Sequence, residues 1–518
     1  MKKTVLTILT ISLFPGVLFA QKLADGIQAL YYQKYRLAQN ILEKVVSGNP
    51  KDGKAAYWLG QVYLQNPDKN SINKTQALYQ SSLNNHFNDP FLLVGMGALD
   101  LLTGNNIVAA KQKFDEAVLT SKNNPEVLNA IGRANALGSR STGDPAYAIE
   151  LLKKAAAADP RNPETDYYLA INYLKLVADN SKPAIDALLD ATKRDPKYAK
   201  AFFELGKIYQ SQGDKVQSTD YFQKAVEADP NYAPAYLHLS SAAVQSKNYS
   251  LSEYYLKKYI GLDDYDYTAQ YYLAYVQLQE GNRTEAQRTI AAFLSKTPVD
   301  DVDANAYCTA AEAYIQYPDS AKLFYTKAFG KDTSYANRIG YADSLIRLYA
   351  TDKDSVNTYL WTKRKFETIP AARDDYKMKN VLPQLCLAAT KAIPLFRDPE
   401  AFGFIDSVFQ LYIANSPQVE FGYYGRAKIA LQTDSSLSRA LVPVGSYISF
   451  LEKEKSDASN KAKLVYYYDI LGQYYANAKK DYQHAAQQYK KILAVDPTNA
   501  RARDILAQLV KMKAYPDH

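Results

Sequence analysis

The chain has 518 residues, of which 47% are hydrophobic and 22% are charged, a balance typical of an ordered protein with a buried core. Glycine and proline number 22 each, too few for a flexible or low-complexity chain. The net charge of +8 is spread along the chain without a dense basic block, so the charge pattern does not favour nucleic acid as a partner.

Residues 1–20 predict a secretory signal peptide. Lys2 and Lys3 precede an apolar run from Val5 to Leu13, and Ala20 provides a cleavage position. The apolar run is shorter than the ~20 residues that a membrane-spanning helix needs. No cysteine near Ala20 offers a site for a lipid anchor. We therefore expect an exported protein, periplasmic or secreted after cleavage near Ala20, without a transmembrane segment or a lipid anchor.

Large apolar residues recur at a nearly constant interval. Leu152, Leu188, Phe222, Leu256 and Ile290 lie 36, 34, 34 and 34 residues apart. A period of this length predicts a stack of helical repeats instead of a single globular core.

Residues 199–232 illustrate one repeat, which we predict to consist of two amphipathic helices. Glycine at 213 tolerates the left-handed backbone that ends the first helix, and Pro230 ends the second. Apolar residues at the spacing of one helix face are Phe202, Leu205, Gly206 and Tyr209 on the first helix, and Phe222 and Ala225 on the second.

Five segments resemble the tetratricopeptide repeat, which has leucine, a small residue and tyrosine on its first helix, and alanine, a large apolar residue and proline on its second. The matching residues are Leu59, Gly60, Tyr63 and Ala77 in 53–86; Leu169, Ala170, Tyr173, Leu188, Ala191 and Pro196 in 163–196; Leu205, Gly206, Tyr209, Phe222, Ala225 and Pro230 in 199–232; Tyr236, Leu239, Ser240, Leu256 and Tyr259 in 233–264; and Leu273, Ala274, Ala286, Ile290 and Phe293 in 267–298. The resemblance implies an all-α fold, a right-handed superhelical solenoid of antiparallel helix pairs.

The repeat pattern is weaker in the C-terminal half. Helical periodicity continues between Asn337 and Asn460 without the 34-residue spacing, and the pattern returns at Leu471 and Gly472. We predict four segments, which are a signal peptide at 1–20, an N-terminal tetratricopeptide-like solenoid at 21–336, degenerate or irregular helical repeats at 337–460, and a tetratricopeptide-like unit with a capping helix at 461–518.

The two cysteines predict no disulfide. Cys308 and Cys386 are 78 residues apart, and two stacked repeats would separate them by ~16–20 Å. A disulfide requires Cα atoms within about 4.4–6.8 Å.

The family resemblance also implies a binding groove, because members of this family line their concave face with the second, fifth, ninth and twelfth residues of each first helix. We expect this groove to hold a segment of another envelope protein. The residues carried over are Tyr57, Gln61, Tyr167, Ile171, Leu174, Lys200, Phe203, Lys207, Gln210, Leu237, Ser241, Tyr271 and Tyr275.

Tyrosine is unusually frequent, with 45 residues, and several are adjacent, as in Tyr423-Tyr424 and Tyr466-Tyr467-Tyr468. Successive helix residues point ~100° apart, so one member of each pair faces away from the contacts of its neighbour. Tyrosine suits contact surfaces for peptide or sugar because its ring is apolar and its hydroxyl is polar.

No motif for catalysis or metal binding is present, and the four histidines lie in separate repeats. We therefore expect no enzyme, no cofactor and no metal, and interpret the chain as a protein-protein interaction scaffold or adaptor in the bacterial cell envelope. Two alternatives stay open. One is a glycan-binding protein that uses the tyrosine-rich surface, and the other is a hydrolase with its carboxylates in 337–460. The sequence does not indicate an oligomeric state.

Overall fold

The structure, a computed structural model, describes residues 15–65, 70–85, 88–176, 181–262, 268–396, 399–433, 437–454 and 457–513. Regular secondary structure in these ranges is helical, and they contain no strand. The predicted all-α class is thereby confirmed. Residues 1–14 of the predicted signal peptide lie outside the described residues, and the first helix begins at Pro15.

The chain divides into two compact units, residues 1–297 (unit 1) and 298–518 (unit 2). Unit 1 consists of antiparallel helix pairs in which each odd-numbered helix packs on the next helix along the chain. Its helices are α1 (Pro15–Tyr31), α2 (Tyr35–Gly48), α3 (Gly53–Gln65), α4 (Ser71–Asn85), α5 (Pro90–Gly104), α6 (Ile107–Thr120), α7 (Pro125–Ala136), α8 (Pro145–Ala158), α9 (Pro163–Leu176), α10 (Lys182–Arg194), α11 (Ala199–Ser211), α12 (Lys215–Ala228), α13 (Ala233–Gln245), α14 (Tyr249–Leu262), α15 (Thr268–Gln279) and α16 (Arg283–Lys296).

Unit 2 is also built from helices that pack on their neighbours in sequence. They are α17 (Ala304–Ala313), α18 (Pro318–Lys331), α19 (Tyr335–Thr351), α20 (Ser355–Thr368), the single turn α21 (Asp374–Tyr376), α22 (Leu382–Ala392), α23 (Pro399–Asn415), α24 (Glu420–Thr433), α25 (Leu441–Lys453), α26 (Ala458–Gln473), α27 (Tyr482–Val495) and α28 (Ala500–Lys513). Two wider π-helical turns, Lys377–Val381 and Tyr474–Ala478, precede α22 and follow α26. The helices predicted for 337–460 are thus present, while the four segment limits, which were based on repeat spacing, stay predictions.

The local sequence explains where the helices of a pair begin and end. Gly213 adopts φ +79° between α11 and α12, a conformation that is unstrained only for glycine. Asp214 then accepts a hydrogen bond from the backbone N–H of Gln217 and caps the start of α12. Asp229, followed by a proline that cannot continue the helix, lies directly after the end of α12.

A small residue on the first helix faces a large one on the second in several pairs. A Cβ atom added at Gly206 would lie 2.6 Å from the ring of Phe222, and one added at Gly60 would lie 2.1 Å from the hydroxyl of Tyr79. The same arrangement joins Gly472 to Tyr489 in unit 2. Close approach of the two helices therefore depends on the missing side chain.

Two further features of the described residues bear on function. Cys308 and Cys386 are free thiols, which confirms the predicted absence of a disulfide between them. Among the described helices, none combines the length and the apolar character needed to cross a bilayer.

We expect Ala225→Glu to lower the free energy of unfolding by about 3 kcal/mol, because Ala225 is fully buried and the carboxylate would be buried without a partner. Urea unfolding monitored by circular dichroism measures this change. The matched control is Val216→Glu in the same helix, where the side chain is 81% exposed and the cost should stay below about 0.5 kcal/mol. Equal stability of the two variants would contradict the assigned packing of α12.

Candidate functional site

The predicted groove residues all lie on the first helix of a pair in unit 1, namely on α3, α9, α11, α13 and α15. We call them the first-helix set. Lys207, Gln210 and Ser241 are exposed, and Ile171, Leu174, Lys200, Leu237 and Tyr275 are half-buried. The other members are buried, and these are Tyr57, Gln61, Tyr167, Phe203 and Tyr271.

The burial has a simple cause in the first half of unit 1. There the first helices pack directly on one another, α3 on α5, α5 on α7, and α7 on α9. Side chains that would line an open groove become contacts between helices instead. Tyr57, for example, is fully buried and packs against the ring of Phe91, with a centroid distance of 5.6 Å.

A buried arginine on α7 joins three of these helices. The Arg133 guanidinium donates hydrogen bonds to the hydroxyls of Tyr168 (2.8 Å) and Tyr57 (3.1 Å) and forms an ion pair with Glu164 (2.8 Å). It also lies 4.1 Å above the ring of Trp58. Burial opposes ionisation of Glu164, but the charge of Arg133 prevails and holds the pKa of this carboxyl below its usual range. Arg133 was not among the predicted residues, and its position shows that this part of the set is an internal network.

Lys200, on α11, lies among aromatic rings and acidic groups. Its ammonium nitrogen is 4.2 Å from the ring centroid of Tyr167. Burial lowers the pKa of Lys200 to about 8, although Glu164 and Glu204 act in the opposite direction. About two helical turns further on, Lys207 is exposed and pairs with Glu204 at 3.0 Å. Of the two lysines in the first-helix set, Lys200 is therefore half-buried and Lys207 is exposed.

The turn between α1 and α2 lies against the beginning of α11 and α13. The ring of Tyr31 is 5.8 Å from that of Tyr198 and 5.6 Å from that of Tyr232, between ring centroids. The backbone N–H of Lys200 donates to the hydroxyl of Tyr31 at 3.4 Å. The hydroxyl of Tyr32 donates to Asp229 at 2.8 Å. The start of the chain thus contacts residues almost 200 positions away, beside Lys200.

Beyond this contact, one exposed member of the first-helix set, Gln210, borders a cavity of about 870 Å³ formed by α11 to α14. Gln210 lines it together with Val216, His238 and Tyr255. The ring of His238 packs on Phe222 with a centroid distance of 4.5 Å, so it forms part of the apolar wall.

A second open surface lies in unit 2, between α24 and α26. We call it the α24–α26 groove. It has a volume of about 1060 Å³. Tyr424 and Tyr466 are 36% and 58% exposed at its edges, whereas Tyr447 and Tyr467 are buried. Neighbouring rings in this row lie 6.1 Å apart (Tyr424 to Tyr447), 5.0 Å apart (Tyr447 to Tyr467) and 5.0 Å apart (Tyr467 to Tyr466).

The charges of the α24–α26 groove are unequal. Glu420 accepts hydrogen bonds from Tyr447 and, at 2.7 Å, from Lys463. Burial opposes ionisation of Glu420, but these two donors outweigh it and hold the pKa of the carboxyl below its usual range. Lys428 also lines the groove and forms no ion pair with any described residue. One positive charge is therefore uncompensated.

The site prediction missed the α24–α26 groove because the 34-residue pattern is absent from α24 and α25. The adjacent tyrosines were a usable signal. In both Tyr423-Tyr424 and Tyr466-Tyr467, one residue packs into the helix stack and the other projects from it.

Two family models described as tetratricopeptide repeat match the chain, at residues 23–69 and 199–232. The second match coincides with the α11–α12 pair, in which Gly206 faces Phe222. The chain therefore contains tetratricopeptide repeats. The resemblance predicted from the sequence is thus confirmed.

Several solved structures are similar to this chain. One is the C-terminal part of a tetratricopeptide repeat-containing protein from Cytophaga hutchinsonii, which is 18% identical. The match covers 52% of this chain and 98% of that chain, with a TM-score of 0.27. A tetratricopeptide repeat protein from Parabacteroides merdae has 17% identity, coverage of 48% and 95%, and a TM-score of 0.30. A protective antigen of uropathogenic Escherichia coli with an SLR fold has 15% identity, coverage of 92% and 90%, and a TM-score of 0.32. These scores are too low to support an argument. A search of curated proteins found no match.

We expect Arg133→Met to lower the free energy of unfolding by about 3 kcal/mol, because it leaves Glu164 and two tyrosine hydroxyls without their partner. Adding Glu164→Gln should recover part of this loss. The control Lys54→Met removes an exposed pair with Glu126 and should cost less than about 1 kcal/mol. Urea titration measures all three variants, and a cost for Arg133→Met no larger than that of the control would refute the network.

The depressed pKa of Lys200 predicts a pH dependence. Between about pH 8 and the ordinary lysine value near 10.4, the unfolded chain binds more protons at this residue than the folded protein does, so its contribution to stability rises with pH. Lys200→Met removes the ionisable group and therefore its pH-dependent contribution to the free energy of unfolding. The stability advantage of the variant over the wild type, measured by urea titration from pH 7 to 10, should therefore shrink above pH 8. Lys207→Met, an exposed position on the same helix, is the control, and an unchanged difference for Lys200→Met would contradict the assignment.

Proposed function

We propose that this tetratricopeptide repeat protein is an exported, non-enzymatic scaffold or adaptor that binds a segment of a partner protein in the bacterial cell envelope. The fold is typical of protein-protein interaction scaffolds, which supports the general role. The predicted signal peptide supports the periplasmic or extracellular location. The observation that carries the binding proposal is the α24–α26 groove, which holds exposed tyrosine rings above a buried aromatic floor.

The groove is suited to a peptide for three physical reasons. Its walls are helices, so the tyrosines are held in place before binding and little ordering entropy is lost. Tyr424 and Tyr466 offer ring faces to an apolar side chain, and their hydroxyls remain available for hydrogen bonds. The unpaired Lys428 favours a segment that carries an acidic residue.

The first-helix set contributes a second contact region in this proposal. Its exposed members Lys207, Gln210 and Ser241 touch the partner directly, and Gln210 borders an open cavity. The half-buried members contact it at their accessible edges, and these are Ile171, Leu174, Lys200, Leu237 and Tyr275. The five buried members support the helices from behind.

Photo-crosslinking in the native cell tests the proposal. A photoreactive amino acid replaces Tyr424 or Gln210, and mass spectrometry identifies the adducts. The control position is Tyr335, a 39% exposed tyrosine at the start of α19 that lines neither cavity. We expect the same envelope protein from both test positions and none from the control. Adducts that do not differ from the control would contradict the proposal.

A glycan is the second candidate, because two exposed rings that flank one groove also suit stacking on sugar. Binding to a carbohydrate array, together with the absence of protein adducts, would favour it over a protein partner.

Tyr424→Ala combined with Tyr466→Ala should weaken binding of the crosslinked partner at least tenfold, because both exposed rings are removed from the groove. The floor residues Tyr447 and Tyr467 stay in place, so the melting temperature should change little. Isothermal titration calorimetry with the purified partner measures the effect. Tyr335→Ala is the matched control, and equal affinity of the double variant and the control would exclude the groove as the binding site.

A further inference from the structure

We propose that the turn between α1 and α2 acts as an intramolecular ligand. In this view Tyr31 and Tyr32 reversibly occupy a tyrosine-lined site at the start of α11 and α13, and a partner segment with two adjacent tyrosines takes the same site when the turn leaves. The second part depends on the proposed function, since it assumes that unit 1 binds a protein segment. We call the site, formed by Tyr198, Lys200, Asp229 and Tyr232, the tyrosine site.

The turn reaches the tyrosine site through its tip. The helices α1 and α2 pack on each other and on α3, as in an ordinary stack of repeats. The contact with α11 to α13 adds the two tyrosine rings at the end of α1, across 169 to 197 residues of sequence. Tyr31 and Tyr32 are both half-buried. A contact of two rings that are not enclosed can open without unfolding the stack.

The tyrosine site recognises both parts of a tyrosine side chain. The rings of Tyr198 and Tyr232 both pack against the Tyr31 ring, at 5.8 and 5.6 Å between centroids. The backbone N–H of Lys200 supplies a donor to one phenol, and the carboxylate of Asp229 accepts the proton of the other. A pair of phenylalanines would fit the rings but would leave the Lys200 N–H and the Oδ2 atom of Asp229 without these partners, while Oδ1 of Asp229 would still accept from the backbone N–H of Asn231. The site therefore distinguishes adjacent tyrosines from adjacent phenylalanines.

The site also borders the predicted groove. Lys200 belongs to the first-helix set, and the ring of Phe203 packs on Tyr232 with a centroid distance of 5.5 Å. A partner segment that replaces the turn would continue from the tyrosine site towards Lys207 and Gln210, which are exposed on the same helix. While the turn is docked, Tyr31 and Tyr32 occupy the tyrosine site beside Lys200, and a partner segment cannot bind there.

Competition binding tests the proposal. The probe is a labelled peptide of residues 27–36, which contains both tyrosines, and the receptor is the full chain without residues 1–20. We expect Tyr31→Ala combined with Tyr32→Ala to bind the probe at least tenfold more tightly than the wild type, because its tyrosine site is empty. A probe with both tyrosines replaced by phenylalanine should bind this variant at least fivefold more weakly. Equal binding by variant and wild type, or equal binding of both probes, would overturn the proposal.

A milder variant covers the case in which the double variant does not fold. Tyr32→Phe removes only the hydrogen bond to Asp229, and we expect faster hydrogen exchange at residues 199–203 with unchanged exchange in α5 and α7. Uniformly unchanged exchange would identify the turn as a fixed part of the stack. Dimerisation that is lost in Tyr31→Ala/Tyr32→Ala would assign the site to a second copy and overturn the partner assignment. Since crosslinking at Tyr424 does not involve this turn, a failure here leaves the proposed function separately testable.

Discussion

The close contact between a glycine on one helix and a large side chain on the next is the interaction on which the rest of this structure depends. At Gly60, Gly206 and Gly472 a Cβ atom would lie between 2.1 and 2.8 Å from the ring or hydroxyl opposite. The missing side chain of the glycine lets the two helices approach closely at this contact. The contact therefore sets the distance and the relative rotation of the two helices. Each pair then presents the same faces to its neighbours. In other pairs a small residue such as Ala170, Ser240 or Ala274 takes the place of the glycine. Repetition of the helix pairs produces the stack, and single pairs could not bury their apolar faces alone.

The same repetition explains why polar groups are found inside unit 1. Where first helices pack on first helices, every polar side chain on the facing surface needs a partner within the protein. Arg133 meets this requirement for Tyr57, Tyr168 and Glu164 together. Tyrosine is well suited to such positions, since its ring fills the space between helices and its hydroxyl reaches a hydrogen-bond partner at the edge. The high tyrosine content is therefore largely a consequence of stacking, and only the tyrosines at open edges are available to ligands.

Much of the fold could be predicted from the sequence because its determinants are local. The helix pair of 199–232 follows from the spacing of Phe202, Leu205 and Tyr209, the turn at Gly213 and the stop at Pro230, all within 34 residues. The burial of Tyr57 and Tyr167 could not be predicted in this way, because it depends on how tightly neighbouring repeats pack. The contact of Tyr32 with Asp229 spans 197 residues and leaves no local pattern. The α24–α26 groove was missed because its helices lack the regular spacing, although paired tyrosines marked both of its edges.

Two tyrosine clusters with similar rings differ in what their hydroxyls contact, and this difference decides which is open to a ligand. In unit 1 the Tyr31 and Tyr32 hydroxyls meet a backbone N–H and a carboxylate from the same chain, so any ligand must replace a contact that already exists. In the α24–α26 groove the Tyr447 hydroxyl and Lys463 both contact Glu420, while Lys428 lies 5.9 Å from the ring centroid of Tyr424 and forms no ion pair with a described residue. Under the two proposals, a partner segment would bind the α24–α26 groove without displacing a contact of the turn, whereas at the tyrosine site it would have to replace the turn between α1 and α2. The apparent affinity of the tyrosine site would then be reduced in proportion to the fraction of molecules in which the turn is undocked.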